Sequence, residues 1–355
     1  MSTEECGESF RGKTILVTGG CGSIGSALVE RLLKMEPARV RVFDNNEERL
    51  FQLQQRLASR HANVRFFIGD VRDAQRLELA AEGADTIIHT AAYKHVPLCE
   101  YNPHEAVLTN VIGTQNVIHA ALRKGVKKTL LISTDKAVNP INTLGATKLL
   151  SEKLIMNAAM GGAKSLFSCV RFGNVLNSSG SVAQIFAEQI QNGDEVTITS
   201  REMTRFIMSA DEVTSLVLKA CQEMQGREIF LLKMRSLRIV DLAEVMVEEL
   251  APRFGKDPEA IRFQEIGIRP GEKLHEELLS ETEARYVQDG GDMYILKSGL
   301  FLPTLVERPA ETEVIRGPIT SRDAAKLTKD EIRSLLAETG ILKPTTQPDR
   351  LEANA

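Results

Sequence analysis

The stretch TILVTGGCGSIGSALVERLL, residues 14–33, decides the fold. An apolar run, Ile15 to Val17, ends at a glycine-rich turn, and the turn reads directly into a segment whose Ile24, Leu28, Val29 and Leu32 recur at helical spacing. Gly19, Gly22 and Gly25 therefore sit between a strand and a helix. In that place glycines let the backbone turn tightly and approach a pyrophosphate, which rests on the free N–H groups and positive dipole end of the helix. Ser23 and Ile24, between the last two glycines, belong to the same cradle. A bare strand–helix packing corner would also use glycines, so the acids that follow carry the distinction. Asp44 closes the next strand-like run, RVRVFD, about 19 residues after the last glycine. Asp70, followed by Val71, closes the third in GDVRD. An acid at the second position accepts hydrogen bonds from an adenosine ribose and repels a 2′-phosphate, which favours NAD over NADP, although Arg49 nearby pulls the other way.

Outward from this corner, strand-like runs alternate with helix-length segments to about residue 175, among them RVRVFD, VRFFIGD, TIIHTAA, KTLLIST and SLFSCVRFGN. Such alternation predicts an α/β fold with a Rossmann-type, doubly wound parallel sheet covered by helices on both faces. We expect an NAD-binding domain over 12–175 and a smaller nucleotide-binding lobe over 176–296 that partly returns to the sheet. A C-terminal extension over 297–355 should hold one amphipathic helix, capped by Thr328 and stopped at Gly340, and a disordered end.

Composition bounds the function. The 355 residues are 43% hydrophobic and 26% charged, with a net charge of −4 spread along the chain. No basic stripe invites nucleic acid or an anionic membrane. No apolar run approaches the roughly 20 residues of a spanning helix, and the polar N-terminus lacks a signal-like core, so a cytoplasmic location is expected. The five cysteines lie far apart with no CxxC pair, and the six histidines form no ligand motif, so no metal is expected and the thiols read as reduced and structural.

The stretch STDKAVNPINTLGATK, residues 133–148, places Thr134, Asp135 and Lys136 at the C-terminal end of a strand, the edge where open α/β sheets bind ligands. Lys148 lies one helical segment later. The glycine spacing and this locus resemble the extended short-chain dehydrogenase/reductase superfamily. Four strings narrow the likeness: AAYKHVPLCEYNP (91–103), STDKAVNPINTLGATK, RFGNVLNSSGSV (171–182) and IRPGEKLHEELL (268–279). Together they resemble soluble nucleotide-sugar 4,6-dehydratases that act on UDP-N-acetylglucosamine in surface-glycan biosynthesis. The tail SRDAAKLTKDEIRSLL is similar to soluble members with a C-terminal extension.

The resemblance implies a lyase reaction with NAD: oxidation at C4 of the hexose, loss of water across C5 and C6, and return of hydride to C6. Asp135 would protonate the departing C6 hydroxyl, with its pKa raised by burial. Lys136 would be the C5 base, with its pKa depressed by Lys148 and the cofactor. Thr134 would hold the C4 hydroxyl and Lys148 the nicotinamide ribose. Arg205 and Arg269 would pair with phosphate oxygens, Glu272 with the uridine ribose and Asn174 with the pyrophosphate, while Lys94 would face the sugar or its phosphate. His95, beside it, reads as a structural histidine. The residue four before Lys148, a tyrosine in many relatives, is Leu144, so the C4 base is unassigned: Thr134, Asp135 or water. Retention at C5 is favoured over inversion, because better-known inverting members keep the tyrosine. A UDP-sugar 4-epimerase, which relies on that tyrosine, and a non-catalytic NAD-sensing protein are the alternatives. The apolar faces of PHEAVLTNVIGTQNVIHAAL and GATKLLSEKLIMNAAM fit a homodimer or higher homo-oligomer.

Overall fold

The computed structural model describes residues 8–158, 164–297, 315 and 317–342; the expected disordered end lies outside them. The first half alternates β1 (Thr14–Thr18), α1 (Ser23–Leu33), β2 (Arg39–Asp44), α2 (Glu47–Leu57), β3 (Val64–Ile68), α3 (Ala74–Ala81), β4 (Thr86–His89), α4 (Val96–Tyr101), α5 (Gly113–Lys124), β5 (Lys128–Thr134), α6 (Thr143–Ala158) and β6 (Leu166–Phe172). A π-helical segment, Val107–Ile112, leads into α5. The second half holds β7 (Asn174–Val175), α7 (Val182–Asn192), β8 (Glu195–Ile198), β9 (Thr204–Met208), α8 (Ala210–Glu223), β10 (Glu228–Leu232), β11 (Ser236–Arg238) and α9 (Ile239–Leu250). It ends with β12 (Arg262–Glu265), β13 (Glu277–Leu279), β14 (Val287–Asp289), β15 (Met293–Lys297), β16 (Ile319–Thr320) and α10 (Lys329–Glu338).

Among the described residues, nine strands form the main sheet in the order β14-β15-β10-β6-β5-β4-β1-β2-β3. From β3 across to β10 every pairing is parallel, while β15 runs antiparallel to both β10 and β14. The order reverses between β1 and β4, which opens a crevice above the carboxyl ends of these strands. Strand alternation divides the core: Ile15 and Val17 join the cluster with Leu28, Leu32, Leu50 and Val217, and Leu16 joins Leu77, Val117, Ala121 and Ile155 on the other face. Each fully buried Val, Leu or Ile side chain among them stabilises the fold by about 1.5–3 kcal/mol.

A third cluster, around Phe186, Leu242, Met246, Ile332 and Leu336, joins α7, α9 and α10 beside the crevice. α10 begins in a Thr328–Glu331 capping box, and its outer face is tied to α9 by Arg333 with Glu248 and Glu249. Leu144 is buried against Cys99 and Ala106, so its place in the chain serves the α4–α6 contact.

Candidate active site

The crevice is a cleft of about 630 Å³ that runs from the glycine turn, past the ends of β4 and β5, to β7 and β9. At one end its wall is backbone. Gly19 has φ +66°, and a Cβ there would stand 2.6 Å from the Ala91 nitrogen; one on Gly25 would stand 2.2 Å from the Gly19 carbonyl oxygen. Gly22, the N-cap of α1, offers no side chain to the first turn, unlike Asn46, which caps α2 through its side chain. The first N–H groups of α1 thus lack a side-chain cap on the cleft side. Asp44 is fixed at the end of β2, where its two oxygens accept from the Cys21 N–H (2.9 Å) and the Asn46 N–H (3.0 Å). Asp70 accepts from Arg72 and Asn45; burial pushes its carboxyl up, and the Arg72 hydrogen bonds and charge outweigh that and hold it below its ordinary value.

A strap crosses this end. The Ser179 N–H donates to the Ser23 hydroxyl (3.1 Å), and the Lys94 ammonium donates to the Ser179 carbonyl (2.6 Å). The strap leaves β7 through Asn177, at φ +56°, whose side-chain amide donates to the Thr339 carbonyl just past α10.

At the other end the wall is charged side chain. β5 ends at Thr134, and the chain folds into a 3-10 turn, Asp135–Ala137, that turns Asp135 inward to zero exposure and leaves Lys136 facing the cleft. The Thr134 hydroxyl donates to Asp135 Oδ1 at 2.9 Å. The Lys136 ammonium meets Asp135 Oδ1 at 3.1 Å, Asn174 Oδ1 at 3.0 Å and Glu276 Oε1 at 3.4 Å. Arg205, held by the Thr204 and Leu274 carbonyls, stands 3.6 Å from the same Glu276 oxygen. Burial raises the Asp135 carboxyl, and the nearby Glu276 adds to it against the opposing pull of Lys136. Lys148 donates to the Ile132 carbonyl at 2.8 Å, and burial pushes its ammonium down to about 8.

The cleft therefore gathers Gly19, Gly22, Ser23, Ile24, Gly25, Asp44, Asp70, Val71, Lys94, Thr134, Lys136, Lys148, Asn174 and Arg205 from the sequence expectations. Asp135 lies behind the wall, reached through Thr134 and Lys136. Glu272 lines an adjoining pocket of about 120 Å³ that also touches Lys136 and Arg205. Arg269 lines neither; it is exposed, 4.0 Å from Glu272. Two expectations are corrected. The Lys136 ammonium is raised rather than depressed: burial lowers it, but the Asp135 and Glu276 carboxylates outweigh that. His95 is exposed on the cleft rim over Gly180 and makes no side-chain hydrogen bond among the described residues, so it is not a satisfied structural histidine. Glu276 was not foreseen. Its one sequence signal is its place four residues after Glu272 in IRPGEKLHEELL.

Residues 15–298 match the polysaccharide biosynthesis protein family. The chain belongs to this family. Within it the chain is 52% identical, over 94% of its length and 98% of the relative's, to an uncharacterized membrane protein of Methanocaldococcus jannaschii. It is 40% identical to a UDP-N-acetylglucosamine 4,6-dehydratase (inverting) of Campylobacter jejuni, covering 82% and 85% of the two chains. A UDP-glucose 4-epimerase of Rickettsia typhi is 39% identical over 92% and 96%. Among solved structures, Pen from Bacillus thuringiensis superposes with a TM-score of 0.86 at 39% identity, covering 93% and 98%. Among the described residues no helix is long and apolar enough to cross a membrane, and no group of three or more His, Cys, Asp or Glu is placed to hold a metal ion.

Proposed function

We propose that the chain is a UDP-N-acetylglucosamine 4,6-dehydratase, forming a UDP-2-acetamido-2,6-dideoxy-4-hexulose for surface-glycan biosynthesis, and that it works in the cytoplasm. The observation that carries this reading is the run Thr134-Asp135-Lys136 at the end of β5, linked by hydrogen bonds and set beside an apolar Leu144. An epimerase needs a single proton shuttle at C4; elimination needs a second base and an acid, and this run supplies both. The 4-epimerase reading is kept second because the Rickettsia relatives carry that name.

The glycine cradle fits a dinucleotide, since a Cβ would fill it at Gly19 or Gly25, and Asp44 favours NAD over NADP. Gly19, Gly22, Ser23, Ile24 and Gly25 would hold the pyrophosphate, Asp44 the adenosine ribose, Asp70 and Val71 the wall beside the adenine, and Lys148 the nicotinamide ribose. NAD bound there supplies a reversible hydride acceptor for C4 and donor for C6. The Thr134 oxygen takes the C4 hydroxyl proton while passing its own to Asp135. Lys136 takes the C5 proton, Asp135 returns its proton to the C6 hydroxyl, which leaves as water, and Lys136 protonates C5 at the end. Lys94, Asn174 and Arg205 would face the diphosphate, with Glu272 and Arg269 reaching the nucleoside from the adjoining pocket.

Three further points belong to the same reading. The dinucleotide-binding part is 12–175, the substrate lobe 176–296 and the extension 297–355. The exposed Leu98, Tyr101 and Leu150 on α4 and α6 suit a homodimer. Leu144, in place of the tyrosine that better-known inverting members keep, favours retention at C5, and the inverting name of the Campylobacter relatives supports the opposite outcome. Incubating the protein with UDP-N-acetylglucosamine in D2O tests the whole: a product lighter by one water is expected by mass, and its C5 coupling in proton NMR separates retention from inversion. A product of unchanged mass with a C4 epimer would sink the dehydratase.

A further inference from the structure

We propose that Glu276 is the positioning residue of Lys136 and the acceptor of the proton that Lys136 must give up before it can act as a base. The inference rests on the dehydratase reading.

An ammonium has three N–H donors. Lys136 meets three oxygens, Asp135 Oδ1, Asn174 Oδ1 and Glu276 Oε1, so the geometry holds it fully protonated and unable to accept a proton from carbon. One of the three must take a proton away. Asn174 cannot, because an amide oxygen is too weak a base. Asp135 is committed through Thr134 to the oxygens of the sugar. Glu276 is left, and its setting suits the task. Its backbone is fixed on both sides by Ser321, whose hydroxyl accepts from the Glu276 N–H and whose N–H donates to the Glu276 carbonyl, each at 2.8 Å. Its side chain is 3% exposed, and Oε2 has no hydrogen-bond partner among the described residues. Asp135 Oδ2 is likewise without a partner among the described residues; a buried carboxylate oxygen left so is costly, and roles in the proton transfers account for both better than packing does.

The step balances without a co-reactant. The Lys136 Nζ–H bond toward Glu276 breaks and a Glu276 O–H bond forms, leaving a neutral amine whose lone pair first points at Glu276 and turns to the cleft by rotation about the Cε–Nζ bond; the proton returns when the cycle closes. Besides Lys136, the charged groups facing Glu276 are Arg205, Lys273 and the carboxyl of Asp135, and those facing Lys136 are Asp135 and Arg205. In the free protein the positive charges of Lys136 and Arg205 outweigh burial and hold the Glu276 carboxyl below its ordinary value. A substrate diphosphate on Arg205 cancels part of that pull, so proton transfer is triggered by the substrate.

Glu276→Gln keeps the shape and removes the acceptor. In the full-length enzyme kcat at pH 7 should fall about 100-fold with KM changed less than about threefold, and kcat should then climb with pH, where the wild type is flat from about pH 7 to 9. Glu276→Asp should restore the flat profile at a lower kcat. Without any turnover, peptide mass mapping should show Lys136 labelled faster by an amine-reactive reagent at pH 8 in Glu276→Gln. Unchanged kcat and labelling, or an effect confined to KM, would overturn the proposal. If Glu276→Gln does not fold, a pH-dependent kcat in Glu276→Asp overturns it and a flat one upholds it. A wild type that yields no dehydrated product defeats the dehydratase reading instead, while the labelling still reports on Glu276.

Discussion

At the glycine turn the cleft is built of main chain: Gly19 and Gly25 leave no room for a Cβ, and the fixed Asp44 receives two backbone N–H groups. Across the cleft, at the end of β5, the wall is a lysine and an arginine backed by two carboxylates, drawn from three separate segments. The first end is set by the shape of the backbone, so almost any added atom harms it. The second is set by charge balance, so side chains of similar size that change charge harm it most.

This contrast gives the order of expected effects. Lys136→Ala should lower turnover at least 1,000-fold, about 4 kcal/mol of transition-state stabilisation, while absorbance of the purified protein still shows bound dinucleotide. Loss of both together would mean that the two ends are not independent. Gly25→Ala should act in the opposite sense. The Cβ, 2.2 Å from a backbone oxygen, should cost about 3 kcal/mol in urea denaturation and empty the dinucleotide site, whereas a fully loaded variant would show that the turn can yield.

The smallest effect is expected midway, at Lys148. Its ammonium is pushed down to about 8 from an ordinary 10.5, so below pH 8 it is charged in both folded and unfolded chains and the burial cost is fully present. Between about pH 8 and 10.5 the unfolded chain keeps a proton that the folded chain has lost, and stability rises with pH. Lys148→Met removes the buried charge but leaves the Ile132 carbonyl unpaired, for a net gain of about 1 kcal/mol at pH 7 in dinucleotide-free protein. That advantage should vanish at about pH 9 and reverse by about pH 10. A constant difference in urea midpoint across this range would show that Lys148 titrates normally.

The same contrast explains what could be read from the sequence. The main-chain end was legible because a backbone that must turn and stay bare leaves glycines at fixed spacing, followed by an acid at each strand end. The strand alternation that carries it was legible for the same local reason. At the charged end, Asp135 and Lys136 were visible as neighbours, but neighbouring residues in a 3-10 turn point apart, and only the fold shows that one lies behind the wall and the other on it. The direction of the Lys136 shift is set first by its neighbour Asp135, expected as a proton donor rather than as a charged partner, and then by Glu276, which arrives from 140 residues away at the end of IRPGEKLHEELL. Arg269 shares a motif with Glu272, yet its side chain turns to solvent while Glu272 lines the pocket.

The strap over the glycine turn has one more consequence, for time rather than affinity. Ser179 is fastened to Ser23 and Lys94 on opposite sides of the cleft, and its neighbour Asn177 hangs from the carbonyl of Thr339, 162 residues later. The strap thus ties the start of α1, the stretch after β4 and the end of α10 into one hydrogen-bonded path. A dinucleotide bound at the glycine turn would then be released more slowly the longer this path stays intact, so loosening the Asn177–Thr339 link should shorten its residence.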